Sequence, residues 1–316
     1  MSVMFLFVLL ACNSGKKGEN SKMDSAIGDI LQKSLVELQA DSGYVLVIDT
    51  AGQVKVSVNM VLGMDGKYEK GSNRIFSAQS EMGSLLMPFA LIPALEDGLI
   101  TWNDSIEMPG DTLVYDGVSI TDENTQMART GKITVKDIVA TSSNIGMAKI
   151  LLDNYGEQPM MFTQKLKLIR IVNVPSPDDT KTFLGVGQGY GVTMTPAEML
   201  SFYYTVSKND TTLCSDTTMM GIREILDETV TFGLGKPALS EKVKIAGKTG
   251  SAITEDEVKS EFCGYFPADA PQYTCLVVIS NPKNSQPIEK IAGDTFRQIA
   301  EYIMRNKGIC NLRFVI

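Results

Sequence analysis

The chain has 316 residues, 44% of them hydrophobic and 21% charged, with a formal net charge of −8. This suits one large folded unit or two small ones with a sizeable core, and the acidic surplus argues against a nucleic-acid partner, whose phosphates need clustered Lys and Arg. No histidine is present. Its absence removes Ser-His-Asp triads, imidazole acid–base catalysis and the common zinc-hydrolase sites, so no metal or cofactor is expected and any catalysis must use Lys, Ser, Tyr or carboxylates.

Met4 to Ala11 is an apolar run too short to cross a bilayer, and it ends at Cys12-Asn13-Ser14-Gly15. It reads as a signal peptide over 1–11. The tetrad Leu9-Leu10-Ala11-Cys12 resembles the bacterial lipobox, which implies lipidation at Cys12 and a membrane-anchored lipoprotein of the periplasm; a plain secretory signal or an N-terminal anchor is the alternative. Polar Ser14 to Met23 suits a flexible tether, giving a tether over 12–24 and a folded domain over 25–316.

Helical spacing of Ile27, Ile30, Leu31, Leu35 and Leu38 predicts an amphipathic helix over Ser25–Leu38. Gly43–Asp49 and Val54–Asn59, joined through Gly52, predict a β-hairpin. From Leu85 to Leu95 nearly every side chain is apolar, so one buried helix is expected, with Ser84 at its start, Pro88 in its first turn, a kink at Pro93 and Gly98 as its cap. Thr101 to Ile133 is rich in turn residues and reads as an irregular surface excursion. Short helices are predicted over Val135–Thr141 and Ile145–Leu152, with Ser142-Ser143-Asn144 at their junction.

Phe183 to Val192 reads as a glycine-rich loop, with only a weak case for phosphate binding. Thr195-Pro196-Ala197-Glu198 carries a cap, a proline at the first helical position and an acid two residues on, and so starts a helix. Val243–Ala246 leads into Gly247-Lys248-Thr249-Gly250-Ser251, a strand whose glycines would let a ligand backbone approach. Glu261–Pro267 and Tyr273–Ser280 predict a second hairpin, flanked by Cys263 and Cys275, for which two buried free thiols are favoured over a disulfide. An amphipathic helix over Asp294–Met304 completes an α+β layout, with an antiparallel sheet drawn from both ends of the chain.

Alone, Ser84 is a helix cap, Asn144 a turn residue and Lys248 a solvated strand lysine. Together, Ser84, Ser142-Ser143-Asn144 and Lys248-Thr249-Gly250 occur in the order of the Ser-x-x-Lys, Ser-x-Asn and Lys-Thr-Gly motifs of serine acyltransferases inhibited by penicillin. With the flanking stretches Tyr44–Asn59, Glu81–Gly98, Gly189–Val192, Thr195-Pro196 and Phe262–Pro267, the chain resembles the transpeptidase domain of class B penicillin-binding proteins over about residues 25 to 305. The resemblance implies a five-stranded antiparallel sheet flanked by helices, a mostly helical subdomain, and a cleft for peptidoglycan stem peptides ending in D-Ala-D-Ala or for β-lactams. It also implies catalytic roles for Ser84, Ser142 and Lys248, and substrate contacts from Asn144, Thr249, Gly250 and Ser251.

The chain departs from that pattern in three places. The pedestal and membrane helix of long class B members have no counterpart in the sequence, no Pro follows Glu81, and Met87 stands where the motif has its lysine. A lysine three residues after Ser84 would aim its amine at the hydroxyl; a thioether cannot accept that proton. Three readings remain. The domain binds stem peptides or a cell-wall synthesis partner with impaired chemistry; or it is a slow acyl-serine enzyme with Lys248 as base through Ser142; or it is a penicillin sensor.

Overall fold

The computed structural model of the chain describes residues 17–72, 76–122, 130–254, 257–284 and 286–311, so the lipobox reading at Cys12 lies outside the described residues. Helix α1 (Lys17–Leu38) begins inside the stretch read as a tether and buries the predicted face of Ile27, Leu31, Leu35 and Leu38. Strands β1 (Ser42–Asp49) and β2 (Val54–Leu62) make the expected hairpin, and β3 (Tyr68–Lys70) adds to β2 through Val61↔Glu69. A two-residue strand, β4 (Ser80–Glu81), follows.

The apolar block expected as one kinked helix is three pieces: a 3-10 turn at Gly83–Leu86, α2 (Met87–Ala90) and α3 (Ile92–Glu96). Pro88 and Pro93 each sit in the first turn of a helical piece, where a missing N–H loses no partner, so each starts a helix rather than bending one. Gly98 closes the block at a φ of +68°, as a cap glycine should.

The excursion read as irregular is strand-rich. It holds β5 (Ser105–Pro109), β6 (Thr112–Tyr115), β7 (Val118–Thr121) and β8 (Thr130–Thr134), paired β5 with β8 and β6 with β7. Helices α4 (Val135–Ala140), α5 (Asn144–Tyr155), α6 (Pro159–Leu168) and α7 (Thr180–Gln188), the short strand β9 (Thr193–Met194), then α8 (Pro196–Ser207) and α9 (Asp216–Thr231) build the helical side. The chain ends in β10 (Ala246–Ile253), β11 (Val258–Phe266), β12 (Tyr273–Ser280) and α10 (Ile288–Asn311).

The main sheet runs β10-β11-β12-β1-β2-β3, antiparallel throughout. It has six strands where five were expected, the extra one being the three-residue edge strand β3. Strand alternation divides the core in two. Leu46, Ile48, Cys263, Tyr265, Leu276 and Val278 face α2, α5 and α8, whereas Val45, Val47, Phe262, Phe266, Cys275 and Val277 face α1 and α10. Cys263 and Cys275 therefore lie on opposite faces of adjacent strands, and both are free and buried, as favoured from the sequence. Among the described residues no helix is long and apolar enough to cross a membrane.

Candidate active site

The turn that carries Ser84 is gripped on three sides. Gly83 has a φ of +46°, and a Cβ there would come within 1.9 Å of the Ser251 carbonyl oxygen, so only glycine lets the turn press against β10. Gly189, at a φ of +88°, approaches as closely from the helical side, where a Cβ would lie 2.0 Å from the Gly83 carbonyl oxygen. The Tyr203 hydroxyl donates to the Leu85 carbonyl at 2.9 Å, and the Gly191 N–H donates to Glu81 Oε1 at 2.8 Å. The segment Phe183–Val192 is thus no phosphate cradle. It is helical to Gln188, and its last glycines cap α7 and let the Ser84 turn pass.

Ser142 sits where α4 gives way to α5. The Ser143 N–H donates to the Ile138 carbonyl and the Ser142 N–H to Val139, a helix ending whose left-handed position is usually filled by glycine. Here serine occupies it at a φ of +53°, at a strain of about 1 kcal/mol. Asp122 secures the next helix: its carboxylate accepts from the Ser143 hydroxyl at 2.8 Å and from the Ile145 N–H at 3.0 Å, while Ser143 Oγ accepts from the Gly146 N–H. The Asn144 amide donates to the Thr121 carbonyl at 3.4 Å.

Lys248 crosses from β10 to this junction. Its side chain is wholly buried, its amine donates to the Thr249 carbonyl at 3.0 Å, and it is in hydrogen-bond contact with Ser142 Oγ. Burial with no carboxylate partner lowers its pKa from 10.5 to about 7, so a large share of the amine is neutral at physiological pH. Thr249 and Gly250 are buried beside it and Ser251 is half-buried. The structure thus brings Ser142, Asn144 and Lys248 to one junction and seats the Ser84 turn against the Lys248 strand.

Met87 follows the turn by the predicted spacing. Residues three apart eclipse in a 3-10 turn, which stacks position 87 over position 84. Its side chain has 0% exposure and belongs to the main apolar cluster. Among the described residues the Ser84 hydroxyl makes no hydrogen bond, whereas Ser142 touches a buried amine. Two residues of the site escaped the sequence reading: Asp122, an ordinary acid in a turn-rich stretch, and Glu261, buried in β11 opposite Gly250.

The fold is that of the transpeptidase and β-lactamase-like class. The chain belongs to the penicillin-binding protein transpeptidase domain family, whose family model matches residues 43–301. It is 24% identical over 298 residues to the "Probable peptidoglycan D,D-transpeptidase PbpC" of Pseudomonas aeruginosa, covering 80% of this chain and 51% of that protein. It is 23% identical to the "Peptidoglycan D,D-transpeptidase FtsI homolog" of Mesostigma viride, covering 72% and 50%. The chain therefore spans about half the length of these relatives. Among solved structures, the transpeptidase domain of Burkholderia pseudomallei penicillin-binding protein 3 matches with a TM-score of 0.76 at 21% identity, covering 92% of this chain and 95% of that one. Penicillin-binding protein 3 of Mycobacterium tuberculosis in complex with aztreonam matches with a TM-score of 0.75 at 19% identity, covering 91% and 78%.

Proposed function

We propose that this chain recognises stem peptides ending in D-Ala-D-Ala, and β-lactams that mimic them, at the bacterial cell envelope with acyl transfer impaired. The observation that carries the reading is Met87. Lys248, Thr249, Gly250, Ser251 and Asn144 would bind a ligand carboxylate and backbone, while the residue three positions after Ser84 is a fully buried thioether without a basic atom. Loss of a general base costs on the order of 10²–10⁴ in rate. A peptide would lie along β10, an edge strand of the sheet, as an added strand. The sequence before α1 supports lipid anchoring at Cys12, and a cell-wall synthesis protein is a natural partner for a domain that holds its ligand without turning it over.

A second reading is favoured by one contact. Lys248, with a pKa of about 7 and its amine against Ser142 Oγ, can accept a proton relayed from Ser84 through the Ser142 hydroxyl. In that case Ser84 attacks the penultimate D-Ala carbonyl while its proton passes through Ser142 to Lys248; the D-Ala-D-Ala amide bond then breaks, the terminal D-Ala leaves with that proton on its amine, and a slow acyl-serine remains.

Exposure to a fluorescent penicillin, followed by intact-mass measurement, separates the readings. The first predicts no adduct on the native protein and a Ser84 adduct gained by Met87→Lys; the second predicts slow labelling of the native protein, abolished by Ser84→Ala. Labelling of neither form would overturn both.

A further inference from the structure

Among the described residues Glu261 is the one fully buried carboxylate, and neither reading uses it. It is 0% exposed, and neither of its carboxyl oxygens has a hydrogen-bond partner among the described residues. The register sets it opposite Gly250, on the face of the sheet that meets the Ser84 turn. A Cβ built on Gly250 would come within 2.9 Å of Glu261 Oε2, 2.7 Å of Leu85 Cγ and 3.1 Å of the Met82 carbonyl oxygen. The carboxyl group therefore lies in the seam between β10 and the turn, with Gly250 making room for it.

We infer that Glu261 is a positioning residue: as a neutral acid it fills the seam that holds the Ser84 turn against β10, and the seam opens when the proton is lost. A neutral carboxyl tolerates this dry site, whereas an unpaired carboxylate there costs several kcal/mol and draws in water. Among the described residues no group is ion-paired with it, and the pull of Lys259 is outweighed by burial. Tyr44 on β1, Tyr203 on α8 and Cys263 on β11 are all held protonated. Lys259, further along β11, is paired with Glu257 at 2.9 Å, and the amine of Lys248 is turned to Ser142. Desolvation raises the Glu261 pKa from 4.5 to about 8.

The direction of the effect follows from linkage. The closed seam binds the proton up to about pH 8 and the open one releases it above 4.5, so opening is suppressed below 4.5, grows about tenfold per pH unit through the interval, and levels off above about 8. Lys248 is charged in both states below its pKa of about 7 and adds no slope there, which makes pH 5 to 7 the clean window.

Two methionines in the turn region report opening. Met82 and Met87 are 1% and 0% exposed; Met64 is fully exposed, and Met219 in α9 is 0% exposed. In native protein pulsed with dilute hydrogen peroxide and mapped by peptide mass spectrometry, sulfoxide at Met82 and Met87 is expected to form about tenfold faster per pH unit from 5 to 7. Met64 should react at every pH and Met219 at none. Glu261→Gln, which cannot ionise, should show no such rise. A flat native profile, or the same rise in Glu261→Gln, overturns the inference; if that variant does not fold, Glu261→Met replaces it, and the native series alone still decides. The readout requires no acylation and is independent of the reading of Met87.

Discussion

Replacing Lys248 with Met tests whether the buried amine is kept at the expense of stability. The lysine is 0% exposed and burial alone lowers its pKa from 10.5 to about 7. At about 1.4 kcal/mol per pH unit, that interval caps the burial penalty at about 5 kcal/mol. Below about pH 7 the amine is charged in the folded and unfolded chains alike, and the penalty is felt in full. Between about 7 and 10.5 the folded chain releases its proton first, and the penalty fades as pH rises. Met preserves volume and shape but forfeits the contacts to Ser142 and the Thr249 carbonyl, together about 1–3 kcal/mol. Lys248→Met should therefore be about 2–4 kcal/mol more stable than the native protein at pH 6 to 7, with the advantage shrinking by roughly 2 kcal/mol at pH 9. Urea unfolding of both proteins at pH 6, 7, 8 and 9, compared pairwise so that other titrating groups cancel, measures it. A variant that is less stable at every pH, or a difference that does not change with pH, refutes the reasoning. Under the proposed function the same variant should also lose affinity for a D-Ala-D-Ala peptide, because the amine proposed to meet the ligand carboxylate is removed.

Gly83→Ala should destabilise by about 3 kcal/mol or more, because the new Cβ would sit 1.9 Å from the Ser251 carbonyl oxygen at a φ of +46°; a midpoint within 0.5 kcal/mol of native would show that the turn does not press on β10. Asp122→Ala removes the acceptor for the Ser143 hydroxyl and the Ile145 N–H and should cost about 1–2 kcal/mol in urea unfolding; an unchanged midpoint would mean that water replaces the carboxylate without loss. Met87→Lys should lower stability by several kcal/mol at pH 6, since it buries an unpaired ammonium at a site with 0% exposure, and should recover as pH rises; equal stability at pH 6 would mean that the slot is wet or acidic.

Motif order pointed to Ser84, Ser142, Asn144 and Lys248, of which the fold brings Ser142, Asn144 and Lys248 to one junction, and local chemistry pointed to α8. There the Thr195 hydroxyl accepts from the Glu198 N–H while Glu198 Oε2 accepts from the Thr195 N–H, the predicted reciprocal cap. The hairpins of β1 with β2 and of β11 with β12 were legible from apolar, β-branched runs joined by turn residues. The segment Phe183–Val192 misled because glycine disfavours helix by about 1 kcal/mol, and tertiary contact overrode that preference. A Cβ on Gly187 would lie 2.4 Å from Leu151 Cδ1, so glycine is what lets α7 pack closely on α5. The strands between Ser105 and Thr134 were hidden by length: four or five residues, partly exposed, give no alternation to count. The burial of Glu261 could not be read from the sequence, since a glutamate in an apolar strand is normally assigned to the wet face and here tertiary packing, including the Ser84 turn, covers it.

The central claim is that recognition has outlived turnover, and a titration of the native protein with an N-acylated D-Ala-D-Ala peptide addresses it, with calorimetry for binding and an enzymatic assay for released D-Ala on the same samples. The account predicts a saturable isotherm that depends on Lys248 and no D-Ala released over many hours. Steady release of D-Ala, or the absence of any binding, would contradict it.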